Sequence, residues 1–191
     1  MTGRRAVAEH GPALRALGLP EPALEALEAY LGLLAAWSAR VNLTGARGPA
    51  ERVGLLVAPV LPLLPLLVPG RLLDVGSGNG SPGLVLALLR PELAVTLLEP
   101  RARRWAFLKE AARAAGRPDI EVLRLRHDAY PGPPAQTLSL RGLALPLREL
   151  GGLVAEGGRV VVLGRAPKGE APFVAESLAR PPVHSFRRCS T

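Results

Sequence analysis

Apolar positions recur at helical spacing through the first part of the chain. Leu24, Leu27, Leu31, Leu34 and Trp37 fall three and four residues apart, on one face of a helix. The pattern predicts helix across 5–47, with a start signal at Pro20–Glu21–Pro22 and a stop near Asn42 and Gly45. Residues 53–69 are almost wholly apolar, but Pro59, Pro62, Pro65 and Pro69 interrupt them. Each interior proline removes a helix hydrogen bond and costs about 3 kcal/mol, and a bilayer span takes about 20 apolar residues. The segment therefore reads as a broken helix against the core, with no membrane partner. An apolar partner surface is the other reading.

From residue 71 the pattern changes to short apolar runs alternating with helical stretches. Strands are predicted at 71–75, 94–99, 121–126, 136–142 and 158–165. Helices are predicted at 81–90, 101–116 and 145–155, the first with Ser81 as N-cap and Pro82 at the first helical position. Strands alternating with helices imply a mostly parallel α/β sheet with flanking helices, a Rossmann-like fold. The division expected is an N-terminal helical extension, 1–70, packed on a core, 71–191. Only 26 residues follow the fifth predicted strand, so the core ends short.

Composition adds bounds. Of 191 residues 48% are hydrophobic but only 4% aromatic, so the core rests on Leu, Val and Ala. The net charge of +8 favours an acidic partner such as nucleic acid. A GC-rich genome gives the same arginine bias, and the charge does not decide between the two. One cysteine, Cys189, excludes a disulfide framework or a thiolate metal site within the chain. No metal is expected, and oligomerisation is not implied. The N-terminus lacks the apolar run of a signal peptide, which fits a cytoplasmic protein.

The most informative stretch is Asp74-Val75-Gly76-Ser77-Gly78-Asn79-Gly80-Ser81-Pro82-Gly83. It follows a strand and opens a helix, where a ligand approaches backbone only if side chains are absent. Dinucleotides use Gly-x-Gly-x-x-Gly against a pyrophosphate. Here the spacing is Gly76-x-Gly78-x-Gly80, with Ser81 at the third dinucleotide position. S-adenosylmethionine (SAM) has no phosphate but carries an ammonium, a carboxylate and a sulfonium. Asp74 suits those cationic groups directly or through water, Glu99 suits the ribose hydroxyls, and Asp128 the adenine amino group. The plain alternatives are a simple turn, a solvated strand end at Glu99, a loop acid at Asp128 and a surface histidine at His127. A nicotinamide oxidoreductase would need a catalytic Tyr or His near the fourth strand, and Tyr130 is the only candidate.

Methyl transfer from SAM is an in-line displacement that rests on alignment. The segment after the fourth strand, Ser139 to Pro146, holds neither a cysteine nucleophile for cytosine nor an Asn-Pro-Pro-Tyr-like motif for adenine. Guanine N7 is an exposed lone pair and needs no general base, so a chain without one is compatible with N7 methylation.

The runs 27–44, 74–92 and 97–108 resemble the small-subunit ribosomal RNA guanine-N7 methyltransferase G family, also called glucose-inhibited division protein B. The similarity spans roughly residues 24–165. It implies a class I SAM-dependent methyltransferase core, SAM as methyl donor and ribosomal RNA or the small subunit as partner. Carried over by position, it implies SAM contacts at Gly76, Ser81, His127 and Asp128, with Glu99 as the second-strand acid. Gly78 and Gly80 share the turn. Arg141 falls near the methyl donor, and with Asn42 is the candidate for a part in catalysis. Arg103 and Arg104 fall on a basic pair, which with Arg47, Arg52 and Arg101 would meet RNA phosphates. The family's basic–His–x–x–Asp–Ser signature falls on Leu56, Pro59 and Val60, all apolar, and its Lys-Gly after the fifth strand reads Gly164-Arg165. A non-catalytic SAM- or RNA-binding relative is the alternative those departures raise.

Overall fold

The computed structural model describes residues 9–165, 167–177 and 182–189. The predicted N-terminal helix is two helices, α1 (Gly11–Arg15) and α2 (Glu21–Ser38), parted where Gly18 takes a φ of +68° and Pro20 follows. Residues 5–8 of that prediction lie outside the described residues. Helix α2 stops at Ser38, short of Asn42, and the chain runs irregularly from there to Ala46. Its buried face is Leu24, Leu27, Tyr30, Leu31 and Leu34.

Next come α3 (Pro49–Leu56) and a 3-10 helix, Ala58–Leu66. By length and composition Pro49–Leu66, 18 residues of mean hydropathy 1.3, is apolar enough to cross a bilayer. Its geometry has another explanation. A 3-10 helix has 3.0 residues per turn, so Pro59, Pro62 and Pro65 share one edge. Val60, Leu63 and Leu66 share another and are buried. The proline period that forbids an α-helix thus matches this tighter one, and its apolar edge seats in the core.

The remaining elements are β1 (Arg71–Val75), α4 (Gly83–Leu89), β2 (Ala94–Leu98), α5 (Ala102–Ala114), β3 (Glu121–Leu123), β4 (Ala135–Arg141), β5 (Val154–Leu163), β6 (Phe173–Glu176) and β7 (Val183–Arg188). They form a seven-stranded sheet in the order β3-β2-β1-β4-β5-β7-β6. Strands β1 to β5 are parallel, and β7 is antiparallel to both β5 and β6. The chain reverses at β1, with β2 and β3 to one side and β4 and β5 to the other, so ligands are expected at its carboxyl end. One core cluster joins α2, the 3-10 segment, α4 and α5 to one sheet face; a second, with Leu138, Leu140, Leu147, Leu150 and Phe186, covers the other.

Three predicted elements change. Strand β3 is three residues, not 121–126, because only Thr96–Leu98 of β2 are left to pair with it. The helix expected at 145–155 is a 3-10 turn, Leu147–Leu153, in which Gly151 and Gly152 weaken any longer helix. Ser81 caps nothing: α4 starts at Gly83, with Pro82 at the N-cap. Beyond β5, β6 and β7 pair antiparallel, with no helix between β5 and β7 among the described residues.

Candidate functional site

The site forms at the carboxyl ends of β1, β2 and β4. The chain leaves β1 into the Gly76–Gly80 turn, and the amides of Gly76 and Ser77 both donate to the Leu98 carbonyl of β2, at 2.9 Å. Gly76, Gly78 and Gly80 hold φ of +72°, +55° and +97°, where L side chains are strained. Their surroundings differ. A Cβ on Gly76 would run into Leu143, whereas one on Gly80 would press on Tyr30 and Leu84 at 3.2 Å. Gly76 thus lies against the Leu143 side chain at the cavity wall, a Cβ on Gly78 would stand at ordinary contact distance from Arg104 and Glu99, and Gly80 faces the core, lining neither of the cavities below.

Two cavities flank the turn. One, of about 400 Å³, has Glu99 as its carboxylate and Leu125, Leu143, Leu145 and His127 among its walls. The other, of about 320 Å³, is lined by Thr44, Gly45, Leu55, Gly78, Asn79 and Ser81. Gly76, Arg104 and Arg141 line both.

Glu99 is buried at the end of β2. Its Oε2 accepts from the Gly78 amide at 3.0 Å and its Oε1 from the Arg101 amide at 2.8 Å. Each oxygen keeps a second lone pair. His127 is buried in the same wall, its Nε2 3.5 Å from Glu149 Oε2. Arg141 is half-buried. Its guanidinium donates to Ser81 Oγ at 2.7 Å and to the Leu55 carbonyl at 2.9 Å, tying the end of β4 to α4 and α3. Burial lowers its pKa, yet a guanidinium stays charged.

Two of the three expected acids lie elsewhere. Asp74 is buried beneath the turn and lines neither cavity. Its Oδ1 accepts from Ser139 Oγ at 2.5 Å, and Oδ2 has no hydrogen-bond partner among the described residues. Burial pushes its carboxyl up to about 6. Gly83 is required above it, because a Cβ there would run into that carboxyl. Asp128 is exposed, ion-paired with Arg126 at 3.4 Å, and outside both cavities. The short β3 explains it: the chain turns at 127–129 so that His127, not Asp128, points inward. Ser81 lines the Thr44 cavity, but its hydroxyl is already engaged, donating to the Leu56 carbonyl at 2.8 Å and accepting from Arg141. Asn42 is exposed and lines neither cavity; only its carbonyl takes part, accepting from Arg104 at 3.3 Å.

Among the expected phosphate contacts, Arg47, Arg101 and Arg103 are exposed, Arg101 at the rim of the Glu99 cavity. Arg104 lies between the cavities. Arg52 differs: it is half-buried, its guanidinium 3.5 Å from His10 Nε2 and its Nε buried with no hydrogen-bond partner among the described residues. It bridges α3 to the residue before α1.

Sequence reasoning missed the residues that lock the turn. Asn79 donates to the Leu43 carbonyl at 3.0 Å and accepts from the Ser81 amide at 3.1 Å. Tyr30, fully buried, donates to the Asn79 carbonyl at 2.8 Å, and burial drives its phenol pKa far up. The signal was present: a tyrosine in phase with Leu27 and Leu34 must find a partner for its hydroxyl. Leu143 and Leu145 carried none. Among the described residues no group of three or more acidic, His or Cys side chains is placed to hold a metal.

The comparisons with known proteins bear on this site. Residues 23–164 match the model of the GidB family, described as rRNA small subunit methyltransferase G. A ribosomal RNA small subunit methyltransferase G from Alkalilimnicola ehrlichii is 39% identical over 171 residues, 85% of this chain and 76% of that one. One from Chromobacterium violaceum is 40% identical over 131 residues, 68% of this chain and 63% of that one. Among solved structures, TrmN from Thermus thermophilus aligns with a TM-score of 0.56 at 21% identity, covering 81% of this chain and 52% of that one, a likeness of fold.

Proposed function

This chain belongs to the rRNA small subunit methyltransferase G family, and from that premise we propose that it transfers a methyl group from SAM to N7 of a guanine in small-subunit ribosomal RNA. The observation that carries the reading is the buried Glu99 carboxylate. It is fixed by two backbone amides and lines a cavity walled by leucines beside the glycine turn.

The cavity's chemistry fits SAM. Glu99 accepts the ribose hydroxyls with its free lone pairs. Leu125, Leu143 and Leu145 flank the adenine, with His127 at its edge. Gly76, in the wall common to both cavities, lies beside the chain that carries the sulfonium. Asp74 acts from below, holding the turn's geometry through Ser139 and Ser77 rather than touching the donor. SAM supplies an electrophilic methyl group on sulfur.

The residues of this chain hold and align. N7 brings its own lone pair, so no side chain removes a proton, in keeping with an acceptor side that carries arginines and no free acid. Arg104 and Arg141 supply charge where RNA would approach, and exposed Arg47, Arg101 and Arg103 extend it. The extension over 1–70 provides the outer wall of that side through Thr44, Gly45 and Leu55. Leu56 and Val60, where the family resemblance implied polar residues, are buried in the core, so their apolar character serves packing. The substrate is the ribosomal RNA, reached in the cytoplasm where subunits are assembled.

The test is mass spectrometry of small subunits incubated with the protein and SAM. One 7-methylguanosine per subunit is the expected result. Bound SAM with no new methyl on the RNA would return the chain to a binding role.

A further inference from the structure

A third hollow lies outside the two cavities, in the groove between α2 and α5, with a volume of about 620 Å³. Leu33, Ala36, Trp37 and Val41 supply its apolar surface, and Arg40, Arg103 and Glu110 its charged groups, net positive. Trp37 is half-buried and sits edge-on to Phe107, ring centroids 5.7 Å apart, which fixes the plane of the indole. Arg40 and Arg103 are exposed, and neither takes part in an ion pair among the described residues. The groove adjoins the proposed acceptor side. Val41 lines it, and the chain passes on through Asn42 to Leu43, Thr44 and Gly45 in the wall of the Thr44 cavity. Arg103 in the groove precedes Arg104 in both cavities. The first turn of α5 holds no acidic residue, although acids would be favoured there by the helix dipole.

We propose that this groove binds an unpaired nucleotide of the RNA substrate beside the one that is methylated, its base on Trp37 and its phosphate between Arg40 and Arg103. A flat π surface takes any base by stacking, and two guanidiniums against one carboxylate leave the groove net positive, a match to a phosphate in charge and hydrogen-bonding geometry. The inference rests on the proposed RNA substrate but concerns a separate surface, which holds the strand in register while the target guanine occupies the Thr44 side.

The test uses the full chain and purified small-subunit RNA. Arg40→Glu with Arg103→Glu changes two exposed side chains. The pair is expected to raise KM for RNA by about tenfold or more, with SAM affinity unchanged, and to flatten the dependence of log KM on log salt by about two contacts. Trp37→Ala is expected to weaken RNA binding by about fivefold or more while Trp37→Phe retains most of it, as stacking requires. A melting curve on each variant separates lost stacking from lost packing on Phe107. Ultraviolet cross-linking reads the groove without activity: a nucleotide on the peptide holding Trp37 supports the proposal even if no methyl is transferred, in which case the assigned reaction fails instead. An unchanged KM and salt slope in the charge-reversed protein, with methylation running normally, overturns it.

Discussion

The two cavities beside the glycine turn share Gly76, Arg104 and Arg141, yet differ in kind. The Glu99 side is walled by leucines, carries Arg101 and Arg126 besides the shared arginines, and holds one buried carboxylate locked by backbone amides. The Thr44 side has no carboxylate and is built by segments far apart in the chain, pinned by Asn79 and Arg141. The carboxylate and the leucine wall suit the ribose and adenine of the proposed donor, and the open Thr44 side is the one proposed for RNA. One turn thus lies between the two proposed ligands, and the arginines common to both cavities mark the boundary across which a methyl would pass.

Gly76 is the shared wall, and its loss should have the largest effect. Gly76→Val puts a β-branched residue at a φ of +72° and into Leu143. SAM affinity by titration calorimetry is expected to fall by at least about 3 kcal/mol, more than a hundredfold in Kd. Unchanged affinity would detach the donor from the turn.

Asp74, beneath that wall, should reveal itself in stability. Its carboxyl stands at about 6 in the fold against 3.8 ordinarily. Between those values the native state holds the proton that the unfolded chain releases. The contribution of Asp74 to stability therefore falls as pH rises from about 4 to 6, by about 3 kcal/mol in all, and stays lower above. Glu92, Asp119 and Glu176, held below their ordinary range, contribute with the opposite sign, so the difference between wild type and Asp74→Asn in urea unfolding isolates the effect. A difference that does not change with pH across that range would contradict the buried, half-partnered carboxyl.

Substitutions on one side only sharpen the contrast. Glu99→Ala should weaken SAM binding by about 1–3 kcal/mol, because the Gly78 amide and the ribose both lose an acceptor. Arg141→Met should lower kcat about tenfold with a smaller change in SAM affinity, by freeing Ser81 and the Leu55 carbonyl. Equal losses in kcat and SAM affinity would place Arg141 with the donor alone. The smallest effect is assigned to Asp128→Ala, which removes an exposed ion pair with Arg126 and should leave SAM Kd within about twofold.

The same contrast governs what the sequence made legible. The strand–glycine turn–helix unit and the acid after β2 are local, and their spacing announces them. The Thr44 side is not local. The Asn79–Leu43 bond joins residues 36 apart and the Arg141–Leu55 bond residues 86 apart, and no periodicity encodes either. Asp74 and Asp128 were read as ligand acids because a strand end is where ligands sit. A strand end also has an underside, which took Asp74, and a solvent side, which took Asp128. Arg52, turned toward His10, makes the same point, since charge in a sequence carries no direction. The prolines of 53–69 break an α-helix in the sequence pattern, and the structure adds the 3-10 period that Pro59, Pro62 and Pro65 share with Val60, Leu63 and Leu66.

The most direct measurement is a crystal structure of the protein with S-adenosylhomocysteine, the demethylated donor. The account predicts the ribose hydroxyls within hydrogen-bond distance of Glu99, the adenine between Leu125 and Leu143, and the sulfur beside Gly76, facing Arg141 and the Thr44 cavity. Density for the ligand on the Thr44 side alone, or a ribose with no contact to Glu99, would contradict it.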